Sequence, residues 1–320
     1  MTAAALALLG ALVYGSADFL GGLAARRLRA IVVTATAAAS GLVVLALVYP
    51  VFGGAWSAPD VMWGAISGAT GAVAIGLLYA CLAIGPMSIL SPVTAVVSAI
   101  APILWALLIE SERLSPWGYI GLPVALVAII LVAFLPGEKI VRPSARGLLM
   151  AVGSGLAIGA FLIIIDQTSE ASGIVPLLMN RLVNAAITGG IVGILVVAAL
   201  RRGRRARVAL TPSARPASVA PGGGADAERR GEPGAAAVTA TIRRGWLLAI
   251  VCGVLDAGAN VLLLLALRAD GDLAVVSALT ALYPAGTVLL AAMLLRERIA
   301  AVQWIGLALA VTAGALLAAA

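Results

Sequence analysis

Ten predominantly apolar runs, most of about 20 residues, leave this 320-residue chain few folds to choose from. They cover approximately residues 3–23, 30–51, 61–84, 88–109, 117–135, 146–166, 174–200, 245–267, 273–295 and 300–319. A helix of about 20 residues crosses a hydrocarbon core of roughly 30 Å. Inside that core every backbone amide must find its partner within the protein, which a helix provides residue by residue. Hydrophobic residues make up 62% of the chain and charged residues 11%, against about a quarter charged in soluble domains. The expected class is therefore all-α and integral to a membrane, with ten transmembrane helices.

The tenfold pattern divides into two fives. A gapless shift of 185 residues lays Glu112-Arg113 on Glu297-Arg298, Ile120-Gly121-Leu122 on Ile305-Gly306-Leu307, Gly68 on Gly253 and Leu77-Leu78 on Leu262-Leu263. Five is odd, so the second copy enters the membrane from the side opposite to the first. The expected architecture is two inverted five-helix repeats, a plan used by many secondary transporters. The first repeat occupies residues 1–140. The second occupies 141–200 and 245–320, with the segment 201–244 inserted.

Charge in the connections gives an independent reading. Arg26, Arg27 and Arg29 follow the first run, whereas Asp166 and Glu170 follow the sixth; corresponding connections of the two copies carry opposite sign. Of the 21 Lys and Arg residues, 18 fall in odd-numbered connections, two in even-numbered ones, and Arg181 lies inside a run. Cytoplasmic loops carry the excess of Lys and Arg. The odd connections are thus expected in the cytoplasm and both termini outside, in a multi-pass protein of the plasma membrane. The opening segment MTAAALALLGALVYGSADF lacks the basic start of a cleaved leader and carries Asp18, so it reads as a retained span. Residues 201–244 are rich in Arg, Pro, Gly, Ala and Ser without apolar periodicity. They read as a disordered basic cytoplasmic linker held near anionic headgroups. Without interleaved aromatics, no nucleic-acid partner is expected.

Several chemistries are disfavoured by composition. The chain has no histidine, and Cys81 and Cys252 lack metal-ligand spacing, so neither metal nor cofactor is expected. No carboxylate pair shares a run and no glycine-rich nucleotide loop occurs, which argues against an enzyme on lipid-linked substrates and against ATP-driven transport.

The polar residues inside the runs are the candidates for function, because ionisable groups at membrane depth are costly. Asp256 is the twelfth residue of its run, near the midplane, and Asn260 follows one turn later on the same face. Tyr283 sits near the middle of the ninth run, Asn180, Arg181 and Asn184 in the outer half of the seventh, and Asp18 in the inner half of the first. Together they describe a polar ladder for a substrate or ion, with Asp256 the candidate coupling residue and Arg181 its charge partner. Bland roles compete with this. Arg181 and Asp256 can form a static ion pair, the asparagines can be interhelical hydrogen-bond glue, and Asp18 can pair with Arg26. Pro92, Pro102 and Pro284 remove backbone hydrogen bonds at depth, Gly64, Gly68 and Gly71 mark a close helix contact, and Glu112 and Glu297 read as structural helix-end residues.

Tyr14-Gly15-Ser16-Ala17-Asp18-Phe19, the repeated Glu-Arg followed by an Ile-Gly-Leu span, and Leu282-Tyr283-Pro284 with Thr287 resemble the EamA-type drug/metabolite transporters. The resemblance covers everything but the linker. It implies ten helices in two halves and export or exchange of a small metabolite through a central cavity, with coupling to protons or another ion left open. Tyr14 stands where many members carry Trp, and the second run has no counterpart of Arg181, so any binding site is asymmetric. The alternative is a membrane scaffold that recruits a partner through its basic linker. Oligomeric state is open between monomer and homodimer.

Overall fold

The computed structural model describes residues 2–84, 87–133, 144–204, 206–211, 235–269, 271–295 and 300–319. The described residues are helical with short connections: α1 (Thr2–Ala25), α2 (Ala30–Phe52), α3 (Ala58–Ile84), α4 (Met87–Leu108), α5 (Pro116–Ala133) and α6 (Ala145–Asp166). After a 3₁₀ turn at Glu170–Ser172 come α7 (Val175–Arg201), the single turn α8 (Arg207–Leu210), α9 (Ala235–Arg268), α10 (Leu273–Thr280), α11 (Tyr283–Leu295) and α12 (Ala301–Ala318). Nine spans among the described residues are long and apolar enough to cross a membrane; α10 and α11 count together as one, and α4 contributes a shorter apolar segment, Val93–Leu108.

Two differences from the sequence reading have local causes. The ninth run is not one helix. Pro284 has no N–H to give the Thr280 carbonyl one turn back, and its ring crowds that carbonyl. The chain therefore tightens into i→i+3 bonds from Leu282 N to the Leu279 carbonyl oxygen (3.2 Å) and from Ala285 N to that of Leu282 (2.9 Å) as α11 begins. Pro102 and Pro123, by contrast, sit within unbroken helices. The second difference is at the linker. Helix α9 begins at Ala235, ten residues before the expected start: AAAVTATIRR has four alanines and two arginines and neither Gly nor Pro to stop a helix. Residues 212–234 of the linker, the Glu297-Arg298 pair and the side chains of Cys81 and Pro92 lie outside the described residues.

Packing follows small residues. Helix α2 lies between α7 and α9, α3 between α6 and α7, and α1 packs on α9, α10 and α11; α6 also packs on α4, and α5 on α12. Gly253 lets α9 meet α2: a Cβ there would stand 2.2 Å from the Ala37 carbonyl oxygen. Gly68, its mate in the sequence shift, does the same for α3 against α7, with 2.5 Å to the Asn180 carbonyl oxygen. Both obstacles are backbone atoms, which cannot rotate away. Gly253→Ala is therefore expected to destabilise the bundle by at least the roughly 1–3 kcal/mol of an overpacked core, read as a lower melting temperature and lower folded yield in detergent. An unchanged melting temperature would show that α9 and α2 are free to separate.

Candidate functional site

Arg181 and Asp256 meet inside the bundle. The Arg181 guanidinium pairs with Asp256 Oδ2, the arginine side chain being 10% exposed and the aspartate 26%. Their helices do not pack directly on one another, because α2 runs between them. Gly41 on α2 opens the passage: a Cβ there would lie 3.5 Å from Arg181 Cδ and 3.1 Å from the Gly253 carbonyl oxygen. The pair thus ties α7 to α9 across the face of a third helix.

Around it stand Tyr14 and Asp18 from α1, Tyr283 from α11 and Cys252, one turn before Asp256. Asp18 is within electrostatic reach of Asp256, Tyr14 within reach of Asp18 and of both members of the pair, and Tyr283 within reach of Asp18. Cys252 Sγ packs beside Gly21, where a Cβ would stand 3.1 Å away. Asp18 is solvent-exposed although neighbouring helices surround it. Its exposure is not to lipid. The outward face of α1 carries exposed Leu9 and Leu12, and Asp18, nine residues on from Leu9, points to the opposite side of a helix with 3.6 residues per turn. One and two turns further along, Gly22 and Arg26 are exposed too, and a Cβ on Gly22 would meet nothing within 4 Å. In the other direction Gly15 is jammed against α11, 2.3 Å from the Tyr283 carbonyl oxygen to a built Cβ. A cleft therefore reaches Asp18 from the end of the bundle that carries Arg26.

The asparagines are engaged in holding helices. Asn180 donates to Ser67 Oγ on α3 at 2.9 Å, and Asn260 donates to the Asp256 carbonyl oxygen of its own helix at 2.7 Å. The Asn184 amide nitrogen lies against Gly71, 3.2 Å from a built Cβ, and its Oδ1 is buried without a partner among the described residues. The structure gathers Asp18, Arg181, Asp256 and Tyr283 into one cluster, sets Asn260 beside it on the backbone of Asp256, and places Asn180 and Asn184 on the α3–α7 seam.

A second polar assembly, at the opposite end, escaped the sequence reading. Asp60, 4% exposed, accepts from Ser169 N and Ser169 Oγ, both at 2.8 Å, and from Ser57 Oγ. Arg268 at the end of α9 donates to the carbonyl oxygens of Gly173 (2.7 Å) and Ser169 (3.0 Å) and to Ser172 Oγ (2.9 Å). Gly54 and Gly173, both at positive φ, let the two loops touch backbone to backbone: a Cβ on Gly173 would stand 2.2 Å from the Gly53 carbonyl oxygen. Nearby, Glu112 accepts from the first two amides of α10, Leu273 N (2.8 Å) and Ala274 N (3.2 Å), where the helix dipole favours a carboxylate. Burial raises the Glu112 carboxyl above its usual range, against the pull of those two amides. Gln167 donates to Glu110 at 2.8 Å. All four even-numbered connections are thereby laced together. Four short loops, each net negative, were visible in the sequence; their convergence was not.

A cavity of about 260 Å³ lies apart from the polar cluster. It is apolar and sits between α2 and α7, lined by Leu42, Ala46, Tyr49, Trp56, Leu178 and Leu182 among others. Among the described residues no three His, Cys, Asp or Glu side chains converge as a metal would require.

The profile of the EamA-like transporter family matches residues 235–319, from the start of α9 through α12. Over those residues the chain is similar to the EamA-like transporter family. That matched segment holds Asp256, Asn260 and Tyr283. A protein of known crystal structure superposes with a TM-score of 0.63 over 99% of this chain and 98% of its own length. At 15% identity that likeness concerns the fold alone. No curated protein matches the chain. The nine long apolar spans among the described residues and this match together indicate a multi-pass membrane protein.

Proposed function

We propose that this EamA-type protein is a secondary transporter that exports or exchanges a small metabolite or drug-like solute by alternating access between two inverted repeats. One observation carries the reading: an ion pair stands inside a membrane bundle beside a carboxylate that solvent reaches from one end. A static scaffold has no need of a wet carboxylate at that depth, since ionisable groups within membranes are costly and face cavities or pathways. The packing supports the inverted repeat. Exchanging each of the first five spans for its counterpart five places on carries the principal helix pairs into one another: α1 on α9 becomes α6 on α3, and α2 on α9 becomes α7 on α3.

The conformer described has its even-connection end laced shut and its Arg26 end open to Asp18. With the odd connections in the cytoplasm, that is a state open to the inside. Reporter fusions to the C-terminus and within residues 212–234 are expected to read outside and inside respectively. A cytoplasmic C-terminus would overturn this orientation.

The test of function is a comparison of metabolite pools inside and outside cells that overproduce the full chain, beside cells that overproduce Asp256→Asn. A solute depleted inside and enriched outside with the wild type alone identifies the cargo class. Unchanged pools, with a partner protein lost when residues 212–234 are replaced by Gly and Ser, would favour the scaffold.

A further inference from the structure

At the open end of the bundle three arginines surround a pocket of about 120 Å³ that the transport reading does not use. Arg29, between α1 and α2, and Arg202 and Arg204, just past α7, line it with Leu195 and Ala198 of α7 and Ala209 of α8. It is far smaller than the roughly 300 Å³ or more of a drug-sized site. Arg29 is held in place: its backbone N–H donates to the Leu210 carbonyl oxygen (2.9 Å) and its Nε to that of Thr211 (3.0 Å). That tether fixes α8 as the floor of the pocket. Among the described residues neither Arg202 nor Arg204 has an acidic partner, and both are exposed.

The surroundings select the ligand. Ile187, Ile191, Leu195, Ala198 and Arg202 follow one another at helical spacing along one face of α7. The first two are exposed apolar residues within the span, so this face looks into lipid. Ala198 and its neighbour Ala199 are small and leave a furrow where it reaches the arginines. Arg202 follows the last residue of α7, Arg201, at the level where headgroups lie. Guanidinium groups match phosphate oxygens bidentately, and basic pockets at the ends of membrane helices are suited to anionic headgroups.

We propose that this pocket binds the phosphate of an anionic membrane phospholipid, with the acyl chains laid along the Ile187–Ile191 face of α7. The site holds whichever solute the bundle moves, and needs only that the chain be embedded in a bilayer. Because Arg29 also anchors the segment after α7, an occupied pocket fastens the start of the long connection to the mouth of the cleft.

The test uses the full-length protein in detergent with added phosphatidylglycerol, phosphatidylcholine or inorganic phosphate, read by native mass spectrometry and by melting temperature. Wild type is expected to retain phosphatidylglycerol roughly tenfold over phosphatidylcholine and to melt higher with phosphatidylglycerol. The pair Arg202→Gln with Arg204→Gln is expected to lose that preference. Arg243→Gln with Arg244→Gln, at the same end but outside the pocket, is expected to keep it. Ala198→Phe, which fills the furrow and leaves every charge in place, is expected to lose it as well, so misfolding of the charge variant does not decide the matter. No lipid preference in wild type would overturn the proposal. So would equal loss in the Arg243 and Arg244 control, which would reduce it to diffuse attraction. Inorganic phosphate that stabilises as well as the lipid would assign the site to a soluble anion instead.

Discussion

Asp256→Asn is expected to abolish gradient-driven flux while leaving exchange of solute across the membrane in place. Asp256 faces Arg181 across Gly41 and stands within electrostatic reach of Asp18. A carboxylate in a low-dielectric interior that loses its counter-ion takes up a proton rather than remain charged and unpaired. A rocking motion that draws α7 away from α9 would therefore exchange Arg181 for a proton on Asp256, and the return would expel it. Asparagine keeps the shape and cannot carry the proton, so flux in the variant should lose its dependence on pH. The static-pair alternative makes a different set of predictions. Removing one partner of a buried pair strands the other, at about 3–5 kcal/mol, so Asp256→Asn and Arg181→Gln would each fold poorly and the double variant would recover both folding and flux. Folded yield and pH-dependent flux, measured for all three variants, separate the two. Recovered flux in the double variant would sink the coupling role.

Much of the bundle was legible from the sequence, because a bilayer restricts the chain so severely. Span edges such as Ala30, Asp166 and Leu273 coincide with helix ends, since the apolar runs and the backbone's need for internal partners point to the same boundaries. The matched glycines Gly68 and Gly253 were legible as a repeat, and the structure gives the reason: each admits the backbone of a neighbouring helix. The break at Ala281–Leu282 falls within what reads as one run, and Pro284 is its cause. What periodicity does not carry is which side chains converge. Arg181 and Asp256 can be paired on paper by depth and charge, whereas Gly41 as the opening between them cannot. Asp60 and Arg268 are 208 residues apart and each sits at the end of a span, where charges are ordinarily solvated. Their joint use of Ser169 depends on loops whose approach is set by Gly54 and Gly173, a three-dimensional fact with no local signature.

That loop assembly yields the second large expected effect. Arg268→Gln should open the laced end of the bundle. The arginine makes three hydrogen bonds to the loop between α6 and α7, and the same loop engages Asp60 at the start of α3. The loop is therefore the bolt between α9 of the second half and α3 of the first. Hydrogen bonds to charged groups contribute about 1.5–3 kcal/mol each, and every 1.4 kcal/mol is tenfold in a population. Loss of one to two such bonds, net of what glutamine restores, is expected to shift the balance toward a form open at the Asp60 end by roughly tenfold to a hundredfold. Cys252 supplies a native reporter, since it is half-buried and lies one turn from Asp256 on α9. In a Cys81→Ala background, a membrane-impermeant thiol reagent applied from the Asp60 side is expected to label Cys252 slowly in the parent and much faster in Arg268→Gln. Asp60→Asn should act in the same direction, because Ser169 loses its anionic acceptor. Under the proposed alternating access, labelling from the Arg26 side should fall in step. Faster labelling from both sides at once would mean the bundle has merely loosened, and unchanged labelling from the Asp60 side would mean that Arg268 holds a loop and no gate.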